Sequence, residues 1–449
     1  METPIWDFAR RYAESGEARF HMPGHKGKQL LGPEALDLTE IRGADELYRP
    51  EGIIRRSEEQ AAALFGAGKT LYSTEGSSLC IRAMLYLACL RAKEEGLPLR
   101  LLAARNAHKA LMYAAALLGA EIDWLEAEEG PESPESFLTC RVSPRAAGRA
   151  LAERRYMGVW LTSPDYTGVT QEIGGIAKVC RKYGVPLLVD NAHGAYLRFL
   201  ETDTHPLTLG ADLCCDSAHK TLDCLTGAAY LHLSREAAAR AGEQAEAAMA
   251  LFGSTSPSYL ILASLDRMNG ELAGDWPQRL RETVARLEGL KGGLRGRGWG
   301  LIGGEPMKLT LRAGSYGYTG DELHDFLRRY GIEGEYSDPE LVTLMPSPRT
   351  DEASWSRLER ALGEIPRRAE IRPAPPKPGK PERVCSIREA MLSPRETIQA
   401  GESDGRVLAD ACVGCPPAVP ILMAGERITA AAIVCFRHYG IQWLTVMKE

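Results

Sequence analysis

No run of 18 uncharged apolar residues occurs anywhere in the 449-residue chain, and its opening stretch, METPIWDFARRYAESGEARF, carries acids where an export signal would carry an apolar core. Both absences argue against a membrane protein or a secreted one and point to the cytoplasm. Dense basic runs are also missing. The net charge is -6, so no segment could track a phosphate backbone, and nucleic acid is not an expected partner. Among the 11 cysteines there is one CxxC, Cys412-Val-Gly-Cys415, without a second CxxC or CxxH to complete a zinc site and with prolines following where a redox motif needs a helix. Packing thiols are the expectation, and no metal. No internal repeat is present.

What is there is ordinary for a soluble globular protein, 44% hydrophobic and 25% charged. The length exceeds a typical single core and implies two or three domains. Residues 1–56 are rich in Gly, Pro, His and charge, show little periodicity, and read as an N-terminal arm. From 57 to 270, amphipathic helices alternate with short apolar strands: SEEQAAALFGA, LRLLAAR, HKALMYAAALLGA and EIDWLEA come first. The clearest strands follow, GVWLTSP (158–164), VPLLVDNAHG (185–194) and GADLCCDSAHK (210–220), with a helix over 172–184 between the first two. This alternation predicts an α/β domain with a mostly parallel sheet. A long helical stretch over roughly 257–292 leads into a small α+β domain (271–371), a linker with five prolines (372–384) and a C-terminal α+β segment (385–449).

Ligands of such sheets gather at the carboxyl ends of the strands. Ser163, Asp190, His193, Ser217, His219 and Lys220 all lie at or just past such ends. A lysine amine held against a buried strand end has its pKa lowered toward the working pH, which suits attack on an aldehyde. Ser217 and His219 are phosphate donors within a turn of it, or simply turn residues. Asp190 closes a buried strand and needs a cationic partner; a pyridinium nitrogen, a Mg ion or a helix N-terminus would each serve. Gly76-Ser77-Ser78 opens a helix whose N–H groups attract phosphate, although the same letters make a plain N-cap. His108 starts a helix after a strand, where an imidazole could stack on a flat ring or merely cap.

Taken together and in this order, the residues resemble the ornithine/lysine/arginine decarboxylase family of the fold-type-I pyridoxal-phosphate enzymes. The resemblance rests on FHMPGHKGK (20–28), LTSPDYTGV (161–169), LLVDNAHGAYLRF (187–199) and SAHKTLDCLTG (217–227) and covers nearly the whole chain. It implies pyridoxal 5'-phosphate held as a Schiff base on Lys220, with Asp190 on the pyridine nitrogen, His108 on the ring face, Ser77, Ser78, Ser217 and His219 on the phosphate, and His193 beside the substrate. It also implies a homodimer or higher homo-oligomer with active sites at the interface, where Ser254 or Thr255 of FGSTSPSYL (252–260) reaches the cofactor in trans. The arm, with His25 and Lys26, and VLADACVGCPPAVPILMAGERIT (407–429) fit the same family. The implied reaction is decarboxylation of arginine, lysine or ornithine to agmatine or a diamine, a polyamine-forming step. The chain resembles the short form that lacks an N-terminal regulatory domain. Glu46, Glu335 and Asp338 are candidate acids for the substrate's distal cation. Three positions depart from the family pattern: Glu75 beside the phosphate turn, Asn191 after the key aspartate, and Gly227 where Gln is common. Other chemistries of the same cofactor, such as transamination, aldol cleavage or elimination, and a weakly active regulatory homologue, are the alternatives.

Overall fold

The computed structural model describes residues 1–125, 127, 139–371, 375–414 and 419–449. The N-terminal arm contains more order than its composition suggests. Helix α1 (Pro4–Glu14) begins with Pro at its first position, where the missing N–H costs nothing. Helix α2 (Ile53–Phe65) stops at Gly66 in the left-handed conformation (φ 68°), a position suited to glycine. Strand β1 (Lys69–Ser73) runs into α3 (Ser77–Glu94), which is buried on nearly every face and therefore central. Next come β2 (Arg100–Ala104), α4 (Lys109–Leu118) and β3 (Glu121–Leu125), then α5 (Pro144–Glu153), β4 (Gly158–Thr162), α6 (Ile173–Tyr183) and β5 (Leu187–Asp190). The last part of this region holds the short α7 (Pro206–Leu209), β6 (Leu213–Asp216), α8 (Ala218–Thr221), β7 (Ala229–Leu233), α9 (Arg235–Phe252) and α10 (Tyr259–Leu272). The strands expected at 158–164, 185–194 and 210–220 are all present, each shorter than its apolar run. The expected single helix over 257–292 is two, because the chain breaks between α10 and α11 (Trp276–Gly296) around Gly274.

The chain forms two compact units. The first comprises Met1–Pro98, Leu151–Ser163 and Ile173–Arg279. Its strands lie in the order β1-β7-β6-β5-β4, with β4, β5 and β6 parallel and β7 antiparallel to both β6 and β1. This is the mostly parallel α/β architecture that the alternating pattern implies. Fully buried Phe65, Tyr72, Trp160, Tyr196 and Tyr230 fill its core. Burying one such ring contributes about 2 kcal/mol or more.

The second unit comprises Leu99–Ala150, Pro164–Glu172 and Leu280–Glu449. It holds the parallel pair β2–β3 and an antiparallel sheet of β8 (Gly300–Ile302), β9 (Leu309–Arg312), β10 (Tyr336–Ser337) and β11 (Leu341–Leu344). Helices α12 (Gly320–Arg329) and α13 (Glu352–Glu364) join this sheet around one apolar core, in which Trp299 stacks on Tyr316 at 3.9 Å. A capping box, Thr319 with Glu322, starts α12. The C-terminal segment has a core of its own, formed by residues such as Ile421, Phe436 and Val446. Part of the proline-rich linker (372–374) and Cys415 lie outside the described residues. The ten described cysteines are unpaired thiols, as expected for packing residues.

Candidate active site

Strand β6 ends at Asp216, and the chain turns at once into the single-turn helix α8, which carries His219 and Lys220. The backbone of this turn is anchored by buried Ser217 and Ala218, but the Lys220 side chain is exposed. The expectation of a lysine tuned by burial is therefore not met, because α8 turns its third residue outward as soon as the strand ends. A specific neighbour is found in its place. Lys220 Nζ lies 3.1 Å from Nε2 of His193. At this distance one of the two nitrogens donates to the other, so a proton can pass between amine and imidazole.

His193 sits on the loop that leaves β5 at Asp190, and both are buried. One carboxylate oxygen of Asp190 accepts from the Ala192 amide at 3.2 Å and lies 3.7 Å from Cys215 Sγ. The strand end thus presents a buried carboxylate of the kind a protonated ring nitrogen requires.

The phosphate-type cradle forms at the start of α3. Gly76 is its N-cap residue with φ 70°, and the Ser77 and Ser217 hydroxyls meet at 2.9 Å, although 140 residues separate them. His219 faces the same turn: its Cε1 is 4.0 Å from where a Cβ on Gly76 would stand, and its Nδ1 donates to the Ala228 carbonyl at 2.9 Å. Ser78 is half-buried on the first turn of α3. Serine hydroxyls and a helix N-terminus are a donor set that fits a phosphate group, with the His219 ring beside them. With Lys220 for an aldehyde and Asp190 for a ring nitrogen, the residues present fit pyridoxal 5'-phosphate.

The three departures from the family pattern each have a physical explanation. Glu75, exposed, turns its carboxylate to the Ser254 amide at 2.5 Å, away from a repulsive stance toward a phosphate. Gly227 has φ 100°, its carbonyl accepts from the Gly76 amide at 2.7 Å, and a Cβ there would lie 2.7 Å from the Thr74 carbonyl oxygen. No side chain fits at 227. Asn191 donates to Asp216 at 2.6 Å in the buried layer beneath the site.

The remaining sequence candidates make contacts of their own. His108, in the second unit, caps α4 by accepting from the Ala110 amide at 3.2 Å; its ring is exposed and carries its proton on Nε2. Ser254 and Thr255 are exposed in the first unit, close to Glu75 of the same chain. His25 pairs with Asp37 at 3.2 Å and Lys26 donates to the His21 carbonyl, so both are engaged inside the arm. Glu46 is exposed, and Glu335 accepts from the Tyr166 hydroxyl at 2.6 Å. Asp338 is taken up by its own turn, accepting from the amides of Glu340 and Leu341, and burial together with the Glu340 charge pushes its carboxyl up to about 7.

Sequence reasoning missed a buried cluster of His205, Asp216 and His232. The signal was available: Asp216 closes a buried strand as Asp190 does, and the rule that such an acid needs a partner applies equally to both.

Comparison with known proteins agrees with this geometry. The model of the family described as Orn/Lys/Arg decarboxylase, major domain, matches residues 3–293. An arginine decarboxylase of Bacillus subtilis (strain 168) is 30% identical over 460 residues, covering 95% of this chain and 91% of the relative. Another from Bacillus anthracis is 28% identical over 459 residues, covering 95% and 91%. Among solved structures, the constitutive lysine decarboxylase of E. coli superposes with a TM-score of 0.77 at 18% identity, covering 100% of this chain and 82% of that one, which shows the shared fold. With the family model spanning well over half the sequence, the chain belongs to the Orn/Lys/Arg decarboxylase family.

Proposed function

We propose that the protein is a pyridoxal-phosphate-dependent decarboxylase of a basic L-amino acid, with arginine the first candidate because the relatives just described carry that name. The observation that carries the reading is the pairing of Lys220 Nζ with His193 Nε2 at 3.1 Å, on a loop that starts at buried Asp190 and faces the Ser77–Ser217 cradle from neighbouring strand ends. When bound, the cofactor supplies an aldehyde for the amine and a ring that takes up the electron pair left by departing CO2.

Each residue then has a task. Ser77, Ser78, Ser217, His219 and the amides of α3 hold the phosphate. Asp190 would keep a proton on the ring nitrogen, and His108 is the candidate that the family resemblance assigns to the ring face. Lys220 would hold the aldehyde through its amine, and His193 Nε2 would hold or return the proton at Lys220 Nζ. The substrate α-carboxylate must be left without a cationic partner, since a salt bridge there would oppose its departure as neutral CO2. Glu335 and Glu46 remain candidates for the distal cation. In the assembled protein, a homodimer or higher oligomer, Ser254 or Thr255 would contact the partner's cofactor. The described residues include no helix long and apolar enough to cross a membrane, and the reading places the enzyme in the cytoplasm.

The test is a product assay with arginine, lysine and ornithine on the cofactor-loaded protein, following CO2, amine and keto acid separately. Equimolar CO2 and amine from one of the three is expected. Lys220→Ala should cut turnover at least about 10³-fold, the scale on which removing a covalent nucleophile acts, and should abolish the borohydride-reducible visible absorbance. Keto acid without CO2, or an unaltered rate in the variant, would refute the proposal.

A further inference from the structure

In the first unit, four fully buried polar side chains form one cluster. Asp216 Oδ2 lies 3.0 Å from Nε2 of His205 on the N-cap of α7 and 3.3 Å from Nε2 of His232 on β7, while Oδ1 accepts from Asn191 Nδ2 at 2.6 Å. None of the four is exposed at all. The outer ring nitrogens set the protonation. His205 Nδ1 accepts from the Leu207 amide at 3.4 Å, so its proton is on Nε2, aimed at Asp216. His232 Nδ1 lies 2.8 Å from the Thr70 hydroxyl, which can donate to it and leave the proton on Nε2 there too.

A His-Asp-His grouping with all ligand atoms within 4.8 Å could also suggest a metal site. A metal would need Nε2 of His205 bare and a proton on Nδ1, pointing directly at the Leu207 N–H. The cluster is better described as one buried carboxylate facing two imidazole Nε2 atoms and the Asn191 carboxamide. Burial alone would raise the Asp216 pKa, but His205 and His232 outweigh it and hold the carboxyl well below the usual range, while burial pushes His232 down. The other titratable groups facing Asp216 are Cys80 on α3, Cys214 and Cys215 on β6 and Tyr230 on β7; burial raises all four, so they stay neutral.

The cluster's place in the chain gives it a consequence for the site. Strands β5 and β6 pair in the register Asp190–Cys215, and the Asn191 amide makes the last backbone bond between them, to the Cys215 carbonyl at 2.9 Å. Beyond that rung, the Asn191–Asp216 bond continues the tie. We propose that Asn191 and Asp216 are positioning residues whose buried cross-link holds loop 190–193, with Asp190 and His193, in register with turn 217–220, with Ser217, His219 and Lys220, so that the cofactor meets both at once. The proposal rests on the pyridoxal-phosphate reading above.

Asn191→Asp is the discriminating variant, because it sets a second carboxylate against Asp216 at a distance where two cannot both ionise. Titration of apo protein with pyridoxal 5'-phosphate, read by fluorescence, should give near wild-type affinity at about pH 6, where one proton is shared, and a loss of at least about tenfold at about pH 8.5, where repulsion parts the loops. Wild type should show no such limb. Asn191→Ala, which removes the amide without adding charge, should weaken binding about equally at both pH values, and it carries the test alone if Asn191→Asp does not fold. Imidazole ¹⁵N spectra of the wild type should show the Nε2–H tautomer for the neutral form of His205 and of His232. Wild-type affinity in both variants at both pH values would overturn the cross-link, as would an Nδ1–H tautomer at His205. Failure of the wild type itself to bind the cofactor would instead reject the functional reading, leaving the tautomer measurement as the independent test of the cluster.

Discussion

Gly227→Ala tests the cradle without touching any side chain that would contact the cofactor. Two costs arise from the structure. An alanine at φ 100° leaves the region that L-residues favour, at about 1–2 kcal/mol. Its Cβ would also stand 2.7 Å from the Thr74 carbonyl oxygen, and backbone cannot rotate out of the way, so the 74–76 turn must retreat by roughly half an ångström from ordinary contact distance. That turn is the same one tied to residue 227 by the Gly76 amide. The apo protein relieves the strain by moving the turn, and binding must restore it. If about 2–3 kcal/mol is recovered in this way, cofactor affinity falls roughly 30- to 100-fold, at 1.4 kcal/mol per factor of ten. The assay is equilibrium titration of apo protein with pyridoxal 5'-phosphate. Gly96→Ala is the control: it has φ 63° and nothing within 4 Å, so it isolates the backbone term at the far end of α3. It should cost about 1 kcal/mol of stability and leave affinity alone. A Gly227→Ala protein that binds as tightly as the control would refute the claim that this carbonyl contact sets the cradle.

Two further outcomes concern stability. Asp266 caps α1, its Oδ2 accepting from the amides of Ile5 and Trp6 at 2.9 Å and its Oδ1 from Ser57 at 2.5 Å, and burial pushes its carboxyl up to about 6. A folded pKa above the unfolded value means the stabilising contribution is complete below about pH 4 and is lost as pH rises through 6, amounting to about 3 kcal/mol. Asp266→Asn mimics the neutral acid, so the variant should gain stability relative to wild type between pH 4 and 7 in urea unfolding; a constant difference would contradict this. In the second unit, Arg105 and Glu426 form a buried bidentate pair at 2.7 and 2.8 Å. Arg105→Met should cost about 3–5 kcal/mol by leaving Glu426 buried and uncompensated, whereas Arg105→Met with Glu426→Met should recover most of it. Equal midpoints for the single and double variants would be the contrary result.

The positions of the candidate site residues were legible in the sequence. Lys220, Asp190, Ser217 and Gly76 each end or begin an element whose apolar period is plain in the sequence, and strand ends are where α/β sheets gather ligands. The helical arm segment was not legible, because α1 is stabilised by a cap, Asp266, drawn from 260 residues away. The break between α10 and α11 was missed although Gly274 and Pro277 mark it in the sequence.

Sequence by itself therefore determined the α/β class, the family, most of the element order and the residue types at the candidate site, since these depend on local period and on which letters follow which strand. The tertiary structure decided what those residues touch. It turned Lys220 outward toward His193, took Glu75 away to Ser254, required a glycine at 227, and placed Asn191 and Asp216 together in a buried cluster with two histidines. Such pairings join residues 11 to 179 positions apart, and a hydrogen bond depends on distance and angle in space, which spacing along the chain does not encode.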